Sequence, residues 1–215
     1  MNICNCGFER LSSCIRHSLF ILLYLQFAVT AFSQPPPLRI LPLGDSITYG
    51  ASVAGGYRLP LYTSLTNAGY TVDYIGSASD NSAPGLGAEI NHEGHSGWRI
   101  SNPGAGNGIY EYLPGWLPTY ADPDVILIHI GTNDTNDPNF QNATNELDAL
   151  VTYLAVKRPF AHIVVTTLMK RGADDTDSKN VLIDTQFNPY VQGLVQAHAQ
   201  AGQRVHFLDM HAFVN

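Results

Sequence analysis

Short apolar runs recur along the chain, and most are followed by a longer stretch with apolar residues at helical spacing. "RILPL" predicts a first strand, "TVDYIGS" a second, "AHIVVTTLM" a fourth and "RVHFLDM" a fifth. The third, "PDVILIHIG", is a near-continuous apolar run of the kind buried on both faces. Between the first two, "YRLPLYTSLTNAGY" predicts a helix: Pro60 suits its first turn, Leu61, Leu65 and Ala68 share a face, and Gly69 ends it. A short helix follows around "IYEYLPGWL". In "TNELDALVTYLAVKR", Leu147, Leu150, Val151 and Leu154 lie at helical spacing. "NPYVQGLVQAHAQAG" has Asn188 as a cap, Pro189 in the first turn and Gly202 as the stop. Residues 78 to 108 are rich in Gly, Asn, Ser and Pro and read as a long loop, which in ordered proteins is often functional.

Strand and helix alternate throughout, so the expected class is α/β: one parallel five-stranded sheet with helices on both faces, in a single domain spanning residues 34–215. In such sheets ligands bind beyond the carboxyl ends of the strands. "GDSIT" ends the first strand, "GTND" ends the third, and "HEGHSGWRI" lies in the long loop after the second. Topology alone brings these three segments to one edge.

The first 33 residues are read apart. "SLFILLYLQFAVTAF" is one apolar run behind Arg10 and Arg16 and ahead of small residues, the pattern of a secretory signal peptide, which implies a secreted, extracellular protein. Cys4, Cys6 and Cys14 all fall in that part, so the mature chain has no disulfide and no cysteine-based metal site. A formal charge of −7 argues against nucleic acid and an anionic membrane surface. With only 13% charged residues, an uncharged polar partner suits the chain better. "NAT" at Asn142 fits a glycosylation site; "NDT" at Asn133 fits the same pattern but has a chemical use.

Acyl transfer needs a nucleophile and donors aimed at the developing oxyanion. Ser46 can supply the hydroxyl and, at a helix start, its own N–H. A glycine of the second segment lets backbone approach a substrate, and the Asn133 side-chain amide can donate as well. Each has a plainer reading: Ser46 as a helix cap, Asn133 as a turn residue, Gly97 as a turn glycine. Separately those readings are strong; at one sheet edge, in order, they weaken.

"GDSIT", the glycine of "HEGHSGW" and "GTND" resemble the first three sequence blocks of the SGNH, or GDSL-type, hydrolases. "PLGDSITYG", "GGYRLPLY", "GYTVDYIGS", "PDVILIHIGTND" and "ELDAL" resemble more closely carbohydrate esterase family three, the acetyl xylan esterases. The likeness runs from about Arg39 to Asp209. It implies a three-layer flavodoxin-like fold and removal of acyl groups, acetyl above all, from xylan or related sugars, without a cofactor. By position it makes Ser46 the nucleophile and a donor, Gly97 the second donor ahead of Gly94, and Asn133 the third. Asp45 resembles the family's structural acid beside the nucleophile. Tyr49, Tyr57, His95, Trp98 and Arg99 sit beside these motifs and are candidates for substrate contact, although a packing role suits Trp98 equally. Asp134 and Thr132 would fix the loop that presents Asn133.

The family's last block, an Asp-x-x-His pair shortly after the fifth strand, has no counterpart here, nor does the helix that follows it. Asp209 matches an acid upstream of that pair, and the Asp209–Ala212 spacing fails. His211 is the nearest histidine but sits on a terminal tail. His129, His162 and His206 fall in strands, where a packed histidine is the default, and His92 and His198 read as loop and helix residues. No cluster has metal-ligand spacing, so no metal is expected. The chain therefore reads as truncated at its carboxyl end and weakly active or inactive as written; the complete enzyme is expected to be a monomer. An SGNH lipase or lysophospholipase, and an inactive carbohydrate-binding homologue, are the competing readings.

Overall fold

The computed structural model describes residues 35–172 and 174–213, so the signal-peptide reading and the three cysteines lie outside the described residues. Six parallel strands form one sheet: β1 (Leu38–Gly44), β2 (Val72–Tyr74), β3 (Glu93–Gly94), β4 (Val125–His129), β5 (His162–Thr166) and β6 (Val205–Leu208). Their order is β2-β1-β4-β5-β6, and β3 also pairs with β1. The helices are α1 (Ser46–Tyr49), α2 (Arg58–Asn67), α3 (Ile109–Trp116), α4 (Ala143–Lys157), α5 (Ser178–Leu182) and α6 (Asn188–Gln200).

The sixth strand is the main departure from the five expected. β2 pairs only with the first half of β1, from Leu38↔Val72 to Ile40↔Tyr74. The chain then leaves at Gly76, makes a loop, and returns so that Glu93 and Gly94 pair with Leu43 and Gly44. The long loop thus re-enters the sheet, and two residues carry too little apolar pattern to announce a strand.

One sheet face is fully covered. Leu41, Leu43, Ile126, Ile128, Ile163, Val165 and Val205 pack with α3, α4 and α6 through Leu113, Leu147, Leu150, Val151, Leu154 and Val191. At about 25 cal/mol per Å² of apolar surface removed from water, this is the dominant stabilising layer. The opposite face is covered by α2 only near β1 and β2, where Leu59, Tyr62 and Leu65 meet Ile40, Val72 and Tyr74. Consequently β4 is not buried on both faces: Ile126 and Ile128 are sealed, whereas Val125 and Leu127 are half-buried. Ala68 of the predicted apolar stripe is exposed.

Asn188 does not cap α6. A π-helical turn, Ile183–Phe187, runs straight into that helix from α5, so no cap is needed. Instead the Asn188 amide bonds the Leu168 backbone twice, accepting from its N–H at 2.8 Å and donating to its carbonyl at 3.0 Å.

Candidate active site

The sheet order reverses at β1, and the crevice beyond its carboxyl end is where ligands enter such folds. Gly44, its last residue, is paired on one side with Gly94 and on the other with His129. Ser46 follows two residues after Gly44, Gly97 three after Gly94, and Asn133 four after His129. Three adjacent strands therefore deliver the three segments side by side.

Ser46 opens α1 but does not cap it. Asp45 is the cap, its Oδ1 accepting from the Ile47 N–H at 3.0 Å. Ser46 is half-buried, and among the described residues nothing hydrogen-bonds its hydroxyl. Its N–H is one of the unpaired donors of a helix start. At the other end of α1, the fully buried Arg58 donates to the carbonyls of Thr48 (3.2 Å) and Tyr49 (3.3 Å), and the Asn81 amide donates to Tyr49 and Gly50 (3.0 and 2.6 Å). A guanidinium and an amide thus satisfy the helix's orphan carbonyls and hold Ser46 in place. Neither residue stands out in the sequence, because each acts on distant backbone.

The two candidate glycines separate by geometry. A Cβ on Gly94 would come within 2.4 Å of the Tyr49 backbone nitrogen, so its role is to let β3 close against α1. Gly97 is exposed, adopts φ +83°, and faces open space. The segment around it is fixed from the β4 side. Asn133 Nδ2 donates to the Trp98 carbonyl at 2.8 Å, leaving the second amide hydrogen for another acceptor. The Ile100 N–H points at both oxygens of Asp134 (3.3 and 3.4 Å), and Arg99 pairs with Asp137. His95 N–H donates to the Gly44 carbonyl at 2.9 Å, tying the same loop to β1.

Buried ionisable groups surround these loops. Burial raises the Asp45 carboxyl, opposed by the field of His129; burial lowers His129, opposed by Asp45. Asp45 Oδ2, the Thr132 hydroxyl and both His129 ring nitrogens are buried without a partner among the described residues. Burial also pushes Asp134 up to about 7.

The remaining sequence candidates divide. His95 and Trp98 stack at 4.4 Å, and His95 Nε2 bonds the sealed Glu93 at 2.8 Å. Tyr49 meets His92 edge-on. Tyr57 contacts the Thr48 hydroxyl at 3.3 Å and lines an apolar cavity of about 250 Å³ on the second sheet face, with Leu61, Leu127, His129, Leu208 and Met210. His211 lies against Asp184 (3.5 Å) and the Leu168 carbonyl (3.3 Å). Among the described residues no group of three or more His, Cys, Asp or Glu could hold a metal. Sequence reasoning missed Tyr112 and Trp116, which join His95 and Trp98; the only signal was the aromatic density of "IYEYLPGWL".

Residues 43–215 match the GDSL-like Lipase/Acylhydrolase family. A multidomain esterase of Ruminococcus flavefaciens is 30% identical over 223 residues; the match covers 97% of this chain but only 29% of that protein. A family 3 carbohydrate esterase from Clostridium thermocellum superposes with a TM-score of 0.70 at 31% identity, covering 84% of this chain and 81% of that one. A family 3 carbohydrate esterase from Talaromyces cellulolyticus shares the fold, with a TM-score of 0.64 at 23% identity over 83% and 82% of the two chains. Through its family match and these relatives, the chain belongs to the GDSL-like lipase/acylhydrolase family.

Proposed function

We propose that the chain is the catalytic domain of a secreted esterase that removes acyl groups, chiefly acetyl, from xylan or a related polysaccharide. Ser46 attacks the ester carbonyl. The N–H groups of Ser46 and Gly97 and the free amide hydrogen of Asn133 stabilise the oxyanion. The observation that carries this reading is that Asp45 does the capping, so Ser46 has no structural task and an unengaged hydroxyl at the crevice. The carbohydrate substrate rests on the family 3 relatives and on the low charge of the chain.

Among the described residues no histidine hydrogen-bonds Ser46, and His211 contacts Asp184 and the Leu168 carbonyl. With no base among the described residues, water is left to take the Ser46 proton, and turnover should lie far below that of an ordinary esterase. Acetate release from acetylated xylan and hydrolysis of an aryl acetate by the full chain test the proposal. Ser46→Ala should abolish whatever exceeds buffer; a rate indifferent to that change would refute the nucleophile. Ordinary esterase rates that vanish in Ser46→Ala would show instead that a base reaches Ser46.

A second reading has one observation in its favour. The apolar cavity beside Tyr57 and His129 would suit an acyl chain longer than acetyl. Preference for aryl octanoate over aryl acetate would support it.

A further inference from the structure

Four aromatic rings gather beside Gly97 on elements far apart in sequence. His95 and Trp98 come from the loop after β3, Tyr112 and Trp116 from α3. Ring centroids lie 4.6 Å apart for His95–Trp116, 4.9 Å for Trp98–Tyr112, 5.4 Å for Tyr112–Trp116 and 5.7 Å for Trp98–Trp116. Three of these four pairs lie within 30° of parallel, which at these separations means ring faces packed against one another in a stack. Tyr112 is 40% exposed, and both tryptophans are only partly covered.

The rings are locked before any ligand arrives. Glu93, sealed from solvent, holds His95 and is itself fixed by the Ser77 N–H and hydroxyl. The Tyr112 hydroxyl donates to the Gly106 carbonyl at 3.1 Å. Little ordering entropy remains to be lost on binding. The rim is polar but neutral: Ser96 is exposed, and Asn102 and Asn107 bond each other at 2.7 Å. The nearby charges are already engaged, Arg99 by Asp137 and Glu111 by Ser101 and the Asn102 N–H.

A rigid aromatic stack whose exposed member, Tyr112, lies beside a neutral hydrogen-bonding rim suits a ligand that has a flat apolar face and a hydroxylated edge. A pyranose has both: axial C–H groups on its face and hydroxyls around it. We infer that Tyr112, backed by His95, Trp98 and Trp116, forms a sugar-stacking subsite, on which one backbone pyranose lies while the acyl group of that sugar or its neighbour enters the crevice between Ser46, Gly97 and Asn133. This rests on the esterase reading for its place in the reaction, but the binding itself does not require chemistry.

The test is binding of unacylated xylohexaose to the full chain, followed by tryptophan fluorescence and calorimetry. Tyr112→Ala and Trp116→Ala should each weaken it roughly tenfold, the scale of one lost aromatic face. Tyr112→Phe should retain the affinity, since the ring remains. Tyr70→Ala, at an exposed tyrosine after α2, should change nothing. Trp116 packs against the core, so melting curves accompany each variant; exposed Tyr112 keeps the test valid if Trp116→Ala unfolds. In turnover, the ratio of kcat/KM for acetylated xylo-oligosaccharide to that for aryl acetate should fall about tenfold in Tyr112→Ala. Xylohexaose binding unaffected by Tyr112→Ala and by any folded Trp116→Ala would overturn the inference. Binding that depends on the rings while Ser46→Ala leaves ester turnover unchanged would overturn the esterase reading and spare the subsite.

Discussion

Asp134 offers a sharp test of how the β4 loop is built. It is 3% exposed, follows Asn133, and accepts from the Ile100 N–H. Burial raises its carboxyl from 3.8 to about 7; Glu146 adds to the rise, while the Ile100 hydrogen bond and Arg99 oppose it. The sign follows directly. The folded protein holds this proton more tightly than the unfolded chain, so stability is undiminished below about pH 4 and falls as pH rises towards 7. At about 1.4 kcal/mol for each tenfold change in proton affinity, the loss is on the order of 4 kcal/mol, a large part of the 5–15 kcal/mol that holds a domain folded. Asp134→Asn keeps an acceptor for Ile100 and removes the titration. Urea unfolding followed by tryptophan fluorescence, from pH 4.5 to 8, measures both proteins. The variant should gain on its parent progressively with pH and be the more stable at pH 8. A difference constant within about 0.5 kcal/mol across that range would refute the burial argument.

Other outcomes follow from the same geometry. Asn133→Ala should lower kcat about 10²–10³-fold, the worth of one oxyanion donor. A change in KM alone would assign Asn133 to ground-state binding. Gly94→Ala should fail to fold or lose several kcal/mol, because its Cβ meets the Tyr49 backbone, whereas Gly97→Ala should cost roughly 1 kcal/mol of left-handed strain; thermal melting separates them. His129→Leu should raise stability by about 1 kcal/mol, since burial keeps the imidazole neutral and both nitrogens lack partners. A comparable loss in urea would show that Asp45 and His129 support each other. Leu208, 37% exposed beside the apolar cavity, should drive self-association of the full chain. Leu208→Lys should shift light-scattering mass towards monomer; an unchanged mass would discount that face.

Much of this was legible in order along the chain. The runs at 39–43, 123–131 and 161–169 became β1, β4 and β5, and the spacing of Leu147, Leu150, Val151 and Leu154 became the buried face of α4. Those signals are local: a strand or helix needs only its own periodicity to be recognised. β3 escaped notice because two residues have no periodicity, and Asn188 passed for a cap because its real partner, Leu168, lies twenty residues away.

By itself, then, the sequence determined the alternating elements, the parallel sheet they imply, and which residue types end β1 and β4. Only the tertiary structure decided which of two neighbours, Asp45 or Ser46, caps α1, which of two glycines is needed for packing, and that four rings from β3's loop and α3 pack into one stack. The physical reason is common to all three. Hydrogen-bond direction, close backbone approach and ring stacking depend on angstrom-scale positions of groups distant in sequence, and periodicity along a chain carries no such information.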